Sequence, residues 1–410
     1  MSRIVHVITR FVNGGADENT LLSCNHQAEA GHNVWLFHGA DFTPRMVAML
    51  DPRVEVRCVA ALAREIRVGR DIVASFAIIR LLRVVWPDVI HTHTSKAGIV
   101  GRLASLAVPD AKVVHGVHIL PFTGVSRLKK AFYLSLERLA ALRTHAFIDV
   151  SEGMRDLCLE NGLGRADTHH VIRSGMDVDR FRRAAPAHDL TARLKGYGME
   201  AGKRPIVIAY VAVLERRKRH AELVKALAPM LADQPHVHLL FAGEGPERPV
   251  LARLIDEMGL GDQIHLLGFR DDPEAVIAAS DICVFASERE GLPRSIVQYA
   301  IAGKPIVATV LPGIELVVRE GVNGHVVEAN DFAGLAARLS QLVGDPVSCK
   351  AMGARSAGLD FARWDARTMT REIESVYRNL LSTPMQRGVR GGRAGVGHVR
   401  GSDAPRSDMP

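Results

Sequence analysis

Glu290 stands at a turn between a short apolar run, Ile282 to Ala286, and a helical pattern from Arg294 to Ala302. The apolar run reads as a buried strand. Pro293 suits a helix start, where its missing N–H costs nothing, and Gly303 followed by Pro305 suits the stop. The turn, with Gly291 and Leu292, thus sets a carboxylate beside the positive end of a helix whose first N–H groups lack internal partners. Such an end can hold a phosphate. A carboxylate next to an anion site suits something neutral and hydroxylated attached to the phosphate, and a nucleotide sugar has that make-up. Gly14 and Gly15 form a second turn, between a first strand and a helix, where bare backbone can approach a phosphate. The Gly-x-Gly-x-x-Gly dinucleotide fingerprint is absent. His91 and His93 lie two apart at a strand end and share a face. With no third ligand in view, zinc is disfavoured. The segment reads as a polar loop at a cleft, with Thr94 or Ser95 capping the next helix. Arg216, Arg217, Lys218 and Arg219 follow another strand, and by composition alone they are a solvated loop.

The elements that must position these residues alternate from end to end. Ile4–Ile8, Val34–His38, Val54–Val59, Val89–His91, Val113–His115 and Ala146–Val150 read as strands, with helical patterns between several of them. A second series runs through Pro205–Val211, Val237–Ala242, Ile264–Leu267, Ile282–Phe285 and Pro305–Ala308. Alternation of this kind gives parallel sheets covered by helices on both faces. The fold class is therefore α/β, with two doubly wound Rossmann-like domains facing across a cleft. Ligands belong beyond the carboxyl ends of the strands. We expect an N-terminal acceptor-binding domain over 1–180 and a nucleotide-sugar-binding domain over 200–365. A helix over 366–383 is expected to cross back to the first domain, and 384–410, rich in Gly and Arg, reads as a disordered basic tail.

At 410 residues, 47% hydrophobic and 24% charged, the chain has the make-up of a soluble two-domain protein. The net charge of +7 favours anionic partners. No zinc-finger spacing, RNA-binding aromatic motif or basic repeat supports nucleic acid. The helical pattern Arg127–Leu142 interleaves basic and apolar residues. It fits peripheral contact with an anionic membrane, and equally a helix packed on its own sheet. No membrane-spanning run or secretory leader is expected. The five cysteines are scattered, which fits a reducing cytoplasm, including its membrane face.

The Glu290 segment resembles the signature of family-4 retaining glycosyltransferases of the group 1, GT-B type. There a Glu, a Gly/Pro turn, a second Glu eight positions later and a Gly-x-Pro-Val-Val-Ala ending recur. Here the first position is Glu290 and the second is Gln298. His91-x-His93-x-x-Lys96-Ala97-Gly98 resembles the corresponding stretch of the bacterial polysaccharide enzymes, and implies that His91, His93 and Lys96 lie on the acceptor side. The resemblance implies catalytic roles for His118, Lys218 and Glu290. It implies donor contacts at Gly14, Gly15, Arg216, Arg217, Phe269, Arg270, Gly291, Leu292, Pro293, Arg294 and Gln298. Three positions depart from the pattern: Ala212 and Val213 stand where Gly and Arg are usual, and Gln298 offers a neutral carbonyl where a Glu would accept from ribose hydroxyls.

The implied reaction moves a sugar from a nucleoside-diphosphate donor to a glycan or lipid-linked saccharide in surface polysaccharide synthesis. Its departing charge would be stabilised by Lys218, neighbouring arginines and helix amides rather than by a metal, and no cofactor is expected. The competing reading is a catalytically weak sugar-nucleotide-binding partner in a glycan assembly complex, suggested by Val213 and Gln298. A sugar-nucleotide epimerase ranks third, and a dinucleotide dehydrogenase lacks its glycine fingerprint.

Overall fold

The computed structural model describes residues 1–382, apart from 13, 66, 121–125, 191 and 193–203. The Gly- and Arg-rich tail over 384–410 lies outside the described residues. The chain forms two parallel sheets. The first contains β1 (Arg3–Phe11), β2 (Asn33–Phe42), β3 (Glu55–Cys58), β4 (Val89–His93), β5 (Lys112–Val117), β6 (Ala146–Asp149) and β7 (His169–Val171), in the order β3-β2-β1-β4-β5-β6-β7. The second contains β8 (Ile206–Val211), β9 (Val237–Ala242), β10 (Ile264–Gly268), β11 (Ile282–Phe285), β12 (Ile306–Thr309) and β13 (Gly324–Val327), in the order β10-β9-β8-β11-β12-β13. The central strands are covered on both faces, so they are apolar nearly throughout rather than alternating; all of Val237–Ala242 is buried. Two strands went unread in the sequence, β7 and β13. Both are short sheet edges with polar or glycine residues, His169-His170 and Gly324-His325.

Strand order reverses between β1 and β4 in the first sheet and between β8 and β11 in the second. These are the switch points where helices diverge to opposite faces and leave a crevice. The Gly14-Gly15 turn follows β1, and Thr94-Ser95 follows β4. Leu214–Lys218 follows β8, and Ser287–Glu290 follows β11.

The linker is part of the second core: Met176, Val178, Phe181, Ala187 and Leu190 pack with the residues of β8 to β12. The helix Ala366–Ser382 packs on the first sheet, burying Met369, Ile373, Val376 and Tyr377 against Ile4, Val89, Val114, Ile148 and Ile172. The chain thus passes between domains twice, and the two passages touch: Met176 N–H donates to Trp364 O (2.8 Å) and Ala366 N–H to Met176 O (3.1 Å). No helix among the described residues is long and apolar enough to cross a membrane.

Candidate active site

Glu290 sits at the carboxyl end of β11 and meets the turn after β8. Lys218 Nζ lies 2.5 Å from its Oε1, Arg217 also bonds that oxygen, and Ser287 Oγ is 3.4 Å away. Lys218 is 8% exposed, with its ammonium 4.6 Å from the centre of the Phe285 ring. Burial alone would raise the Glu290 carboxyl's pKa, but the Lys218 and Arg217 charges outweigh it and hold it below the ordinary value. Burial pushes the Lys218 ammonium the other way, downward, and Glu290 resists. Arg217 divides its guanidinium between Glu290 and Glu215, and Glu215 reaches across to Arg64 of the first domain (2.9 Å). Arg216 is exposed at the start of the same turn.

The helix Arg294–Ile301 begins immediately after Pro293, which takes the cap position with ψ 132° rather than the first helical one. Gln298 is 7% exposed on its second turn. Two close approaches carry this segment to the first domain. A Cβ on Gly291 would lie 2.6 Å from His118 O, and a Cβ on Gly15 would lie 3.1 Å from Arg294 Cδ. Glycine is therefore required at 291 for the His118 backbone to meet the turn that carries Glu290. The structure brings Gly14, Gly15, His118, Lys218, Glu290, Gly291 and Arg294 to one place between the two sheets.

Other predicted site residues have different surroundings. Arg294 is a bridge: it pairs with Glu18 (2.5 Å) and donates to Asn19 Oδ1 (2.8 Å) and to the Gly175 carbonyl. Arg270 is tied to Asp189 (2.7 Å) and Asp272 (2.8 Å). Phe269, half-exposed, lies under Arg45 of the first domain, which pairs with Asp271 (2.6 Å). Lys96 turns to Asp71 (2.6 Å) and the Glu65 carbonyl, not to His91 or His93.

The loop expected at His91 and His93 is not one. Both belong to β4 and are buried, and their rings meet His6 of β1, whose register partner is His91. The missing third imidazole was visible in the sequence as another histidine on the neighbouring strand, but the pairing that aligns it was not. Thr94 does hold the cap position of the next helix, but its side chain makes no cap bond. Thr94 is bent to φ 62°, and Thr9 Oγ1 from β1 accepts from Ala97 N–H instead (2.9 Å). His115, one step out of phase, faces the other side of the sheet and bonds Thr92 (2.9 Å). His118 Nε2 lies 3.5 Å from His93 Nδ1. A cavity of about 440 Å³ borders β13 and contains none of the predicted site residues; a second, about 20 Å³, is lined by His91, His93, Gly116 and His118 with Asn19 and Met369.

Residues 13–180 match the model of Glycosyltransferase Family 4, and residues 199–358 match that of Glycosyl transferases group 1. EpsD of Bacillus subtilis, described as a putative glycosyltransferase, is 29% identical over 302 residues, 72% of this chain and 77% of EpsD. An Escherichia coli enzyme described as UDP-Gal:alpha-D-GlcNAc-diphosphoundecaprenol alpha-1,3-galactosyltransferase is 27% identical over 302 residues, 73% of this chain and 77% of the relative. Among solved structures, Anabaena HepE in complex with UDP-glucose superimposes with a TM-score of 0.74 at 21% identity, covering 92% of this chain and all of HepE. The two sheets and their facing switch points are the GT-B fold. The chain belongs to the group 1, family-4 glycosyltransferases.

Proposed function

We propose that this glycosyltransferase moves a sugar, with retention at the anomeric carbon, from a nucleoside-diphosphate sugar to a glycan or lipid-linked saccharide acceptor of surface polysaccharide. The observation that carries it is the Lys218–Glu290 contact (2.5 Å) at the carboxyl ends of β8 and β11, with Arg217 on the same carboxylate. A departing diphosphate gains negative charge as the glycosyl–oxygen bond breaks, and a fixed cation in a water-poor site stabilises that charge without reorganising. Lys218 is such a cation, with Arg216, Arg217 and the amides at the start of Arg294–Ile301 beside it. Glu290, ionised and held by the two cations, orients hydroxyls of the donor sugar. The acceptor hydroxyl bonds to the anomeric carbon on the face the diphosphate leaves, and its proton passes to the departing phosphate oxygen. His118 contacts the donor sugar from the first domain. The Gly14-Gly15 turn lets the diphosphate approach backbone. Gln298 holds the ribose through its carbonyl oxygen. His91 and His93 act from behind the surface, through their neighbours.

No metal enters this scheme, since the cations perform its role. The HepE complex with UDP-glucose and the E. coli enzyme named for UDP-Gal support a sugar nucleotide as donor. The latter's diphosphoundecaprenol substrate supports a lipid-linked acceptor. The helix Arg127–Ala141 supports contact with an anionic membrane: Leu128, Phe132 and Leu139 are exposed among Arg127, Lys129 and Lys130. The cysteines remain thiols, which suits the cytoplasmic face.

Purified protein incubated with nucleoside diphosphates and their sugars should be thermally stabilised in proportion to occupancy. Donor consumption with and without a lipid-linked saccharide should continue in chelator. Binding without transfer or hydrolysis would instead favour the non-catalytic partner, and a rate abolished by chelation would remove the cation scheme.

A further inference from the structure

We propose that His118 is set in one tautomer by a relay of buried side chains that starts at Gln27 and passes through His6 and His93. The inference deepens the proposed function and rests on the reading of His118 as a contact to the donor sugar.

The relay has a direction because a carbonyl oxygen only accepts. Gln27 Nε2 donates to Tyr377 Oη (3.4 Å), which turns the amide oxygen toward His6, 2.7 Å from its Nε2. His6 must therefore carry its proton on Nε2, leaving Nδ1 bare. His6 Nδ1 lies 2.9 Å from His93 Nε2, so His93 donates there and keeps a bare Nδ1. His93 Nδ1 faces His118 Nε2 at 3.5 Å, the longest of the three links. His118 donates from Nε2 in turn, and its Nδ1 is left as an acceptor. That nitrogen suits a sugar hydroxyl, which can donate to it.

The scheme needs neutral rings, since a protonated imidazole has no acceptor. Burial lowers His6 and His118 to about 4 and takes His93 well below its ordinary value, so all three are neutral at physiological pH. Tyr377 closes the inner end. Having accepted from Gln27, it donates its own proton to His91 Nδ1 (2.6 Å), so Gln27 has a fixed partner on each side. Gly116 makes room for the outer link: a Cβ there would stand 3.1 Å from His118 Nε2, 3.3 Å from His93 Nδ1 and 3.4 Å from His91 Nε2.

The nitrogens of His6, His91 and His93 also lie within 4.8 Å of one another, close enough to consider a metal. Two ligands at 2.0–2.1 Å on a tetrahedral zinc stand about 3.3 Å apart. The 2.9 Å between His6 and His93 is shorter than that and is a hydrogen-bond length. Among the described residues no carboxylate joins the cluster to balance a dication. The geometry points to a relay. Gln27 and Tyr377 are then positioning residues, acting on the sugar through three rings.

The test is long-range ¹H–¹⁵N spectroscopy of the full chain carrying ¹⁵N-histidine, at neutral pH. His6, His93 and His118 should each appear protonated on Nε2 only, with a ¹⁵N–¹⁵N coupling through the hydrogen bond between His93 Nε2 and His6 Nδ1. Gln27→Leu should move the His118 signals into a tautomer mixture and lower kcat/KM about tenfold, a modest share of what misplacing a contact group can cost. Gln27→Glu keeps an acceptor oxygen and should stay near the parent. If Gln27→Leu fails to fold, Tyr377→Phe, which frees the amide to turn, should give the same spectral change. His118 protonated on Nδ1, or His118 signals unmoved in a folded Gln27 or Tyr377 variant, overturns the relay. The spectra report on it whether or not sugar transfer occurs. An intact relay whose loss in Gln27→Leu leaves transfer kinetics unchanged overturns the positioning role alone.

Discussion

Glu290 neutralises two cations at once, and that arrangement decides what single substitutions should do. Lys218 is nearly buried, so its charge acts in a poorly screened setting. Lys218→Ala should lower turnover by about 10²–10³-fold, the scale for one placed charge-stabilising group, with donor affinity less affected. Steady-state kinetics on a competent donor and acceptor would check it, and parent-like turnover would exclude Lys218. Glu290→Gln should also lower thermal stability, because it leaves the buried ammonium and Arg217 without their shared counter-ion. A melting curve matching the parent would mean the three groups are less coupled than their distances suggest. At this scale the turn chemistry around Glu290 was legible locally, whereas Lys218 was singled out only by the family resemblance. The sequence was uninformative for Arg294, whose partners Glu18 and Asn19 lie about 275 positions away.

Between elements, the buried pair Arg102–Glu137 joins the helix Ser95–Ala104 to the helix Arg127–Ala141. Arg102 is 0% and Glu137 3% exposed. Glu137→Ala strands a guanidinium in the interior and should cost about 3–5 kcal/mol, measurable by urea unfolding. Vesicle flotation of a folded Leu128→Glu variant addresses the outer face of the same helix: if that face meets an anionic membrane, binding should weaken. Strand identity was legible wherever burial on both faces made a continuous apolar run, as in β9 and β11. It failed at β7 and β13, short strands whose His169-His170 and Gly324-His325 interrupt the apolar run. The histidines show the same limit. Period-two alternation put His91 and His93 on one face, but only the β1–β4 register delivers His6 to them. The start of Ser95–Ala104 was read correctly, with Thr94 at its cap position, but the capping hydroxyl comes from Thr9 on another strand.

Across the whole molecule, buried neutral imidazoles should govern acid stability. His6, His118 and His145 are lowered by burial to about 4, and His220 to about 3. Between pH 6.5 and 4 the unfolded chain binds protons on these rings that the folded chain does not. Stability therefore rises with pH through that window and is lost as pH falls through it. At ~1.4 kcal/mol per pKa unit, His6 alone accounts for about 3 kcal/mol. Asp17, pushed up to about 6 mainly by burial, works in the opposite sense and offsets part of the loss. Urea midpoints should fall steadily from pH 6.5 to 4. A flat profile would mean that the rings are protonated in place.

The two chain passages at Met176 and Trp364–Ala366 run side by side and are stitched by backbone hydrogen bonds. A single tether would let the lobes swivel in any direction. Two tethers bound at one spot restrict them to folding about a line, like the leaves of a book along its spine. The ion pairs Arg45–Asp271 and Arg64–Glu215 also cross between the lobes, while Arg294–Glu18 lies beside the spine, where Arg294 bonds the Gly175 carbonyl. Any opening about that spine breaks the two outlying pairs first and keeps Gly291 in line to return to the same place on His118.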